Sequence, residues 1–265
     1  MLRLRGPKAY TKNDFDSAML VSYLGVIFIE TLSRNKDCFL EDEAWNRALN
    51  SIAVKTPLGS ERHELLIELW TYVFPKARLF RLATDYILNA DNPEDTRDPA
   101  IAESIIAECH ELRRLHFHWR ERYTAFSQLH QACNSPRFKA REFLALSFSS
   151  QLLTTQIIVA LDPTGAGSKD LAEEVQDMSE MILLLHEKSR LCQDWQCDVL
   201  MARKLTYAKA AMTMKERWES ALSGDGGCLS GMKTISRDLF VEWNERIGRD
   251  WRGVRCELTE CASVF

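Results

Sequence analysis

The sequence predicts an all-α fold, an antiparallel bundle or array of about 8–10 helices, and two observations lead to that class. Apolar residues recur at steps of three and four through most of the 265 residues, and no sustained period-two alternation indicates a strand. Short stretches rich in Pro, Gly, Asn and Ser separate these periodic segments. We therefore expect a single helical domain over residues 1–265, with residues 134–136 as the place for any subdivision.

The first long helix is predicted from its start signal and its lack of charge. Thr11 and Asp14 have the spacing of a capping box, and the helix they open should run to about residue 34. Its centre, residues 18–29, carries no charged side chain, so we expect this helix to be enclosed on most sides.

The later helices follow from turn signals and periodicity. Pro75 should end or kink one helix, because proline cannot continue the hydrogen-bond ladder. A break is expected near residues 192–195 of a long helical stretch. The predicted segments cover about residues 41–50, 60–75, 76–89, 100–133, 137–161, 170–222 and 232–249.

An unbroken apolar stripe marks the helix at 100–133. It alternates steps of four and three residues, which predicts a face packed on a partner helix. The stripe contains Ile105, Cys109, Leu112, His116, Trp119, Tyr123, Phe126 and His130.

His116 lies in the middle of this stripe and has two interpretations. It is either a core histidine bonded to a neighbouring carbonyl or hydroxyl, or a general acid or base in an apolar cavity. In the second case Tyr123 is its companion as a catalytic candidate.

Neutral polar residues on the next helix suggest where a ligand would bind. Residues 143–161 form the longest charge-free run, and Ser147, Gln151 and Thr154 share one of its faces, with Thr155 beside them. Such groups either bond within the core or line a cavity. These four residues, together with Trp119, are the candidate ligand-binding residues.

Charge and cysteine usage restrict the partners and the compartment. The net charge is −4 and the Lys and Arg residues are dispersed, which argues against direct binding to nucleic acid or to a membrane. None of the eight cysteines forms a C-x-x-C pair, so we predict no metal site, no cofactor and a reducing compartment, the cytoplasm or the nucleus.

Several short motifs resemble the regulatory region of fungal zinc-cluster transcription factors. They are Leu4-Arg5-Gly6-Pro7, Thr11, Cys38-Phe39-Leu40, Trp45, the segment from Tyr72 to Tyr86, Trp119-Arg120 and Glu242-Trp243-Asn244. Members of that family begin with a six-cysteine cluster that holds two zinc ions and binds DNA, whereas here no cysteine precedes Cys38. The resemblance therefore implies a regulatory domain without the DNA-binding zinc cluster.

Two functions follow as expectations. The first is a stand-alone helical domain that does not bind DNA and acts through a small apolar molecule or a protein partner, a homodimer included. The alternative is a cofactor-independent cyclase, isomerase or lyase of fungal natural-product biosynthesis, which would use a cavity in the helical array.

Overall fold

The computed structural model describes residues 2–55, 60–88, 98–129, 138–162, 168–190, 198–223 and 229–249. Within these ranges the chain is helical and contains no strand, which confirms the all-α prediction. The α-helices are α1 (Leu2–Arg5), α2 (Asp14–Ser33), α3 (Glu43–Lys55), α4 (Ser60–Val73), α5 (Pro75–Leu88), α6 (Pro99–Leu129), α7 (Phe138–Leu161), α8 (Ser168–Arg190), α9 (Asp198–Ser223) and α10 (Leu229–Arg246). Two short 3-10 helices lie at Pro7–Thr11 and Phe39–Glu41.

The chain divides into two compact units, Met1–Arg81 and Leu82–Phe265, and the boundary falls inside α5. The predicted place for a subdivision, residues 134–136, lies outside the described residues. In the first unit α3 packs against α4 and both 3-10 helices. Aromatic contacts fill this core, which includes Tyr10, Phe28, Trp45, Trp70 and Phe74.

The start of α2 differs from its prediction. Asn13 caps this helix, because its side-chain oxygen accepts a hydrogen bond from the Asp16 backbone N–H at 2.8 Å. The Thr11 hydroxyl instead donates to the Lys8 carbonyl at 3.3 Å, within the preceding 3-10 helix. The predicted capping box of Thr11 and Asp14 is therefore wrong, since the chain enters α2 from a 3-10 turn that the sequence pattern does not reveal.

The surroundings of α2 also correct the prediction. One face is buried, but Phe15, Tyr23 and Val26 on another face are 78%, 48% and 52% exposed. A run without charge shows only that no side chain requires water. It does not supply packing neighbours on every side, so the expected enclosure was wrong.

Two helices, Asp14–Ser33 and Arg141–Leu161, are long and apolar enough to cross a membrane by length and composition, with mean hydropathy 1.5 each. In the second, 72% of the apolar window is buried inside the structure, as in the core helix of a globular protein. This confirms the prediction that residues 143–161 form a buried helix. The window in α2 is 33% buried.

Helix α7 lies at the centre of the second unit and packs against α6, α8, α9 and α10. Side-chain contacts join residue 116 to 147 and 150, and residue 123 to 143, so α6 and α7 run antiparallel. The contacts of residue 151 with 174, and of 141 with 188, show the same for α7 and α8. This packing brings His116 of the predicted stripe against Ser147 on the polar face of α7.

The end of α10 is fixed by a left-handed turn and a buried arginine. Gly248 has φ +73°, and the Arg249 N–H donates to the Asn244 carbonyl at 3.0 Å. The Arg249 guanidinium donates to the Asn244 side chain and, at 3.2 Å, to the Thr84 hydroxyl of α5. Burial lowers the pKa of Arg249 to about 9, so the guanidinium is charged at neutral pH.

Candidate functional site

His116 is fully buried and is held between two serines of α7. Its Nδ1 atom lies 3.2 Å from Ser147 Oγ, and its Nε2 atom lies 3.2 Å from Ser150 Oγ. A neutral imidazole has one donor and one acceptor nitrogen, so two hydroxyls can satisfy both. The ring therefore links α6 to α7 as a hydrogen-bonded core residue.

Trp119 and Tyr123 form an aromatic stack one turn further along α6. Their ring centroids lie 4.7 Å apart at an interplanar angle of 11°, and Phe143 of α7 meets Tyr123 edge-on at 6.2 Å. Both residues are almost completely buried. The structure thus places the catalytic candidate Tyr123 and the ligand candidate Trp119 in the packed interface between two helices.

Arg120 joins this interface to the surface of the unit. It lies one helical turn beyond His116, and its Nη1 atom donates to Gln151 Oε1 and, at 3.4 Å, to Ser147 Oγ. Its guanidinium carbon lies 4.8 Å from the centroid of the Phe148 ring, within range of a cation–π interaction. Two of the predicted ligand residues, Ser147 and Gln151, therefore orient a cation.

A chain of polar contacts continues from Gln151 to α8. The Gln151 amide donates to one carboxylate oxygen of Glu174, and Arg113 Nη2 donates to the other. Glu174 is thus paired with Arg113, and Gln151 separates it from Arg120. Three helices are connected by this partly buried network.

Arg120 carries its charge without an ion-pair partner in the part of the chain that the structure describes. Among the residues that the structure describes, no carboxylate lies within ion-pair distance of its guanidinium. Burial lowers the pKa of Arg120 to about 10, and the nearby Glu174 carboxylate partly offsets that effect. Arg120 is therefore a charged, largely desolvated group at neutral pH, and this is costly without a counter-ion.

The side of Arg120 away from the core lines an open groove of about 570 Å³ between α6, α7 and α8. Its apolar lining comes from Phe117, Ala125, Leu144, Phe148 and Met181. Its polar lining comes from Arg120, Glu121, Thr124 and Gln128. Of the lining residues Phe117 and Met181 are notably exposed for their type, at 53% and 38%. The volume suits a drug-sized ligand.

Of the residues predicted to form a site, none lines this groove, and two contact a residue that does. Ser147 and Gln151 bind Arg120 from the core side. The Thr154 hydroxyl donates to the Gln151 carbonyl at 2.7 Å within its own helix. Thr155 Oγ1 is buried without a hydrogen-bond partner in the described part of the chain. Both threonines are core residues of α7.

The prediction from sequence missed Arg120, Ser150 and Glu174. A signal existed for Arg120, because it stands four residues after His116 and beside the stripe position Trp119. Ser150 follows Ser147 by three residues, the spacing that brings two side chains to one helical face. Glu174 gave no signal, because its role depends on how α8 aligns with α7.

No group of three His, Cys, Asp or Glu side chains that could hold a metal ion occurs among the residues with described positions. A comparison with protein families, with curated proteins and with solved structures gives no match for this chain.

Proposed function

We propose that this chain is a ligand-binding helical domain whose groove between α6, α7 and α8 receives a small, largely apolar molecule. The single observation that carries the proposal is the guanidinium of Arg120, which has no ion-pair partner among the described residues and lines a mostly apolar depression. Binding sites for small molecules commonly combine an apolar lining with a few fixed polar groups. The role agrees with the regulatory domain that the sequence resembles, acting through a bound molecule instead of through DNA.

The proposal is favoured over a catalytic function at His116. Neither His116 nor Tyr123 lines the groove, and both ring nitrogens of His116 lie beside serine hydroxyls. An acid–base group must come within hydrogen-bond reach of its substrate. The binding function needs no rearrangement of α6 and α7, and the catalytic alternative does.

A fluorescence titration with 1-anilinonaphthalene-8-sulfonate tests the proposal. The probe is mostly apolar and becomes bright in a non-aqueous site, so we expect saturable binding of one molecule per chain. Phe117→Asp should weaken that binding about tenfold or more, because it puts a charge on an apolar wall of the groove.

Ile101→Asp provides the matched control. Ile101 is an exposed apolar residue of the same helix, 49% exposed beside 53% for Phe117. It does not line the groove, and it lies about 24 Å from Phe117 along the helix axis. Equal losses in both variants, or no saturable binding by the wild type, would overturn the proposed function.

A further inference from the structure

The free side of the Arg120 guanidinium is the feature that specifies the ligand. Nη1 makes both protein hydrogen bonds of this side chain, to Ser147 and Gln151. Within the described residues, Nε and Nη2 make none, and neither is among the buried unpaired atoms. Arg120 lines the groove, and among the described residues these two nitrogens are the guanidinium donors left for a ligand there.

The Nε–Nη2 edge of a guanidinium has a defined preference. Its two N–H groups are parallel and match the spacing of two carboxylate oxygens, which gives a bidentate, charge-assisted pair. The guanidinium carbon lies over the Phe148 ring, 4.8 Å from its centroid, and this cation–π contact helps to hold the group in position. Ser147 and Gln151 hold the opposite edge, so little entropy would be lost when an anion binds.

The charges around Arg120 restrict the charge of that anion. Glu121 lines the same groove, and Glu174 lies on the other side of Gln151. Arg113 pairs with Glu174, and His118 lies 3.2 Å from the Glu121 carboxylate. Among the described residues that line the groove, Arg120 is the only cation, and carboxylates lie on two sides of it. A dianion such as a phosphate monoester would therefore meet more repulsion there than a monoanion.

We infer that the ligand of this groove is a monocarboxylic amphiphile, with its carboxylate paired to Arg120 Nε and Nη2 and its apolar body packed on Phe117, Leu144 and Met181. The inference rests on the proposed function and adds the chemical class of the ligand. In this arrangement the carboxylate of the ligand is the counter-ion that Arg120 lacks within the described part of the protein.

Calorimetric titration of the full chain with four compounds of equal chain length tests this inference. The compounds are octanoate, 1-octanol, octyl phosphate and octyltrimethylammonium. We expect octanoate to bind about tenfold or more tightly than octanol, because a charge-assisted pair adds to the same apolar contact. Octyl phosphate should bind more weakly than octanoate, and octyltrimethylammonium should bind most weakly.

Variants at position 120 separate charge from geometry. Arg120→Met should make octanoate and octanol bind equally, and Arg120→Lys should lose most of the preference because an ammonium lacks the fork. Arg122→Met is the control, since Arg122 is an exposed residue of the same helix that does not line the groove. It should leave the preference within about twofold. If Arg120→Met does not fold, the comparison of the four compounds on the wild type decides the question.

The outcomes distinguish failure of this inference from failure of the proposed function. If octanol equals octanoate and Phe117→Asp weakens both, the groove binds apolar molecules and the carboxylate inference is overturned. Tighter binding of octyl phosphate or of octyltrimethylammonium also overturns it. If neither these four compounds nor 1-anilinonaphthalene-8-sulfonate binds saturably, both the inference and the proposed function are wrong.

Discussion

The Nε2 atom of His116 lies 3.2 Å from the hydroxyl oxygen of Ser150, in the buried interface between α6 and α7. The other ring nitrogen, Nδ1, faces Ser147. Removal of the ring would therefore take one hydrogen-bond partner from each of two buried serine hydroxyls. We expect His116→Leu to lower the free energy of unfolding by about 1–3 kcal/mol. His116→Gln should cost less, since its amide can still reach one serine.

Urea unfolding followed by circular dichroism measures both variants. A His116→Leu protein as stable as the wild type would contradict the structural role of the ring. The catalytic alternative predicts the opposite signature at this position. His116→Gln would then keep the melting temperature and reduce turnover about a hundredfold or more, with Tyr123→Phe as the companion variant.

Glu174 supports a second stability prediction. Glu174→Ala removes the acceptor of both Arg113 and Gln151 in a partly buried site, so we expect a loss of about 2 kcal/mol. Glu111→Ala is the matched control, because its pair with Arg114 on α6 is about half exposed and should contribute much less to the free energy of unfolding. Urea unfolding measures both variants. Equal losses in their free energy of unfolding would show that the contacts of Glu174 with Arg113 and Gln151 do not stabilise the fold.

Arg249 should matter far more than its near neighbour Arg246. Arg249→Met removes the hydrogen bonds that the buried guanidinium donates to Thr84 and to the Asn244 side chain, at an expected cost of about 2 kcal/mol. Within the described residues, Arg246→Met removes a single ion pair, with Glu242 one turn away on α10, and should cost less than about 0.5 kcal/mol. Thermal unfolding should rank the two variants in this order, and the reverse order would refute the anchoring role of Arg249.

Cys38 should react slowly with alkylating reagents in the folded protein. Burial raises the pKa of its thiol to about 11, so only about one molecule in a thousand carries the reactive thiolate at pH 8. Iodoacetamide labelling followed by peptide mapping should show slow modification of this residue that speeds up in urea.

The pH dependence of stability gives a further test at Cys38. The thiol stays protonated in the folded state above pH 9, where the unfolded thiol ionises, so stability should fall as pH rises from about 9 to about 11. Cys38→Ala should make that part of the stability curve flatter. Rapid labelling at pH 8 without denaturant, or an unchanged slope in Cys38→Ala, would count against this burial.

The helices were predictable where one sequence feature, such as a proline or a continuous apolar stripe, determines where a helix ends or which of its faces is buried. Pro75 separates α4 from α5 as expected, and His116 and Tyr123 of the stripe on α6 contact α7. The cap of α2 was not predictable in detail, because Thr11 and Asn13 are both capable caps and the preceding turn decides between them.

The site was predictable only in part. The polar face of α7 follows from helical spacing, and two of its residues, Ser147 and Gln151, do contact the groove arginine. The role of Arg120 could not be predicted from spacing alone, because it depends on how far its side chain reaches and on the position of the Phe148 ring beside it. The role of Glu174 could not be predicted, because it depends on how α7 and α8 align. That alignment results from packing along the whole length of both helices and not from a single motif.

Because Glu174 accepts hydrogen bonds from two partners, three positions share one evolutionary constraint. A substitution of Glu174 alone removes the carboxylate that Arg113 and Gln151 bind. We therefore expect such a substitution to persist in evolution only when residue 113 or 151 changes as well. Among related sequences we expect these three positions to co-vary. Under the proposed function, position 120 should instead co-vary with the chemistry of the ligand, so a lineage that replaced its arginine would differ in what it binds before it differs in how it folds.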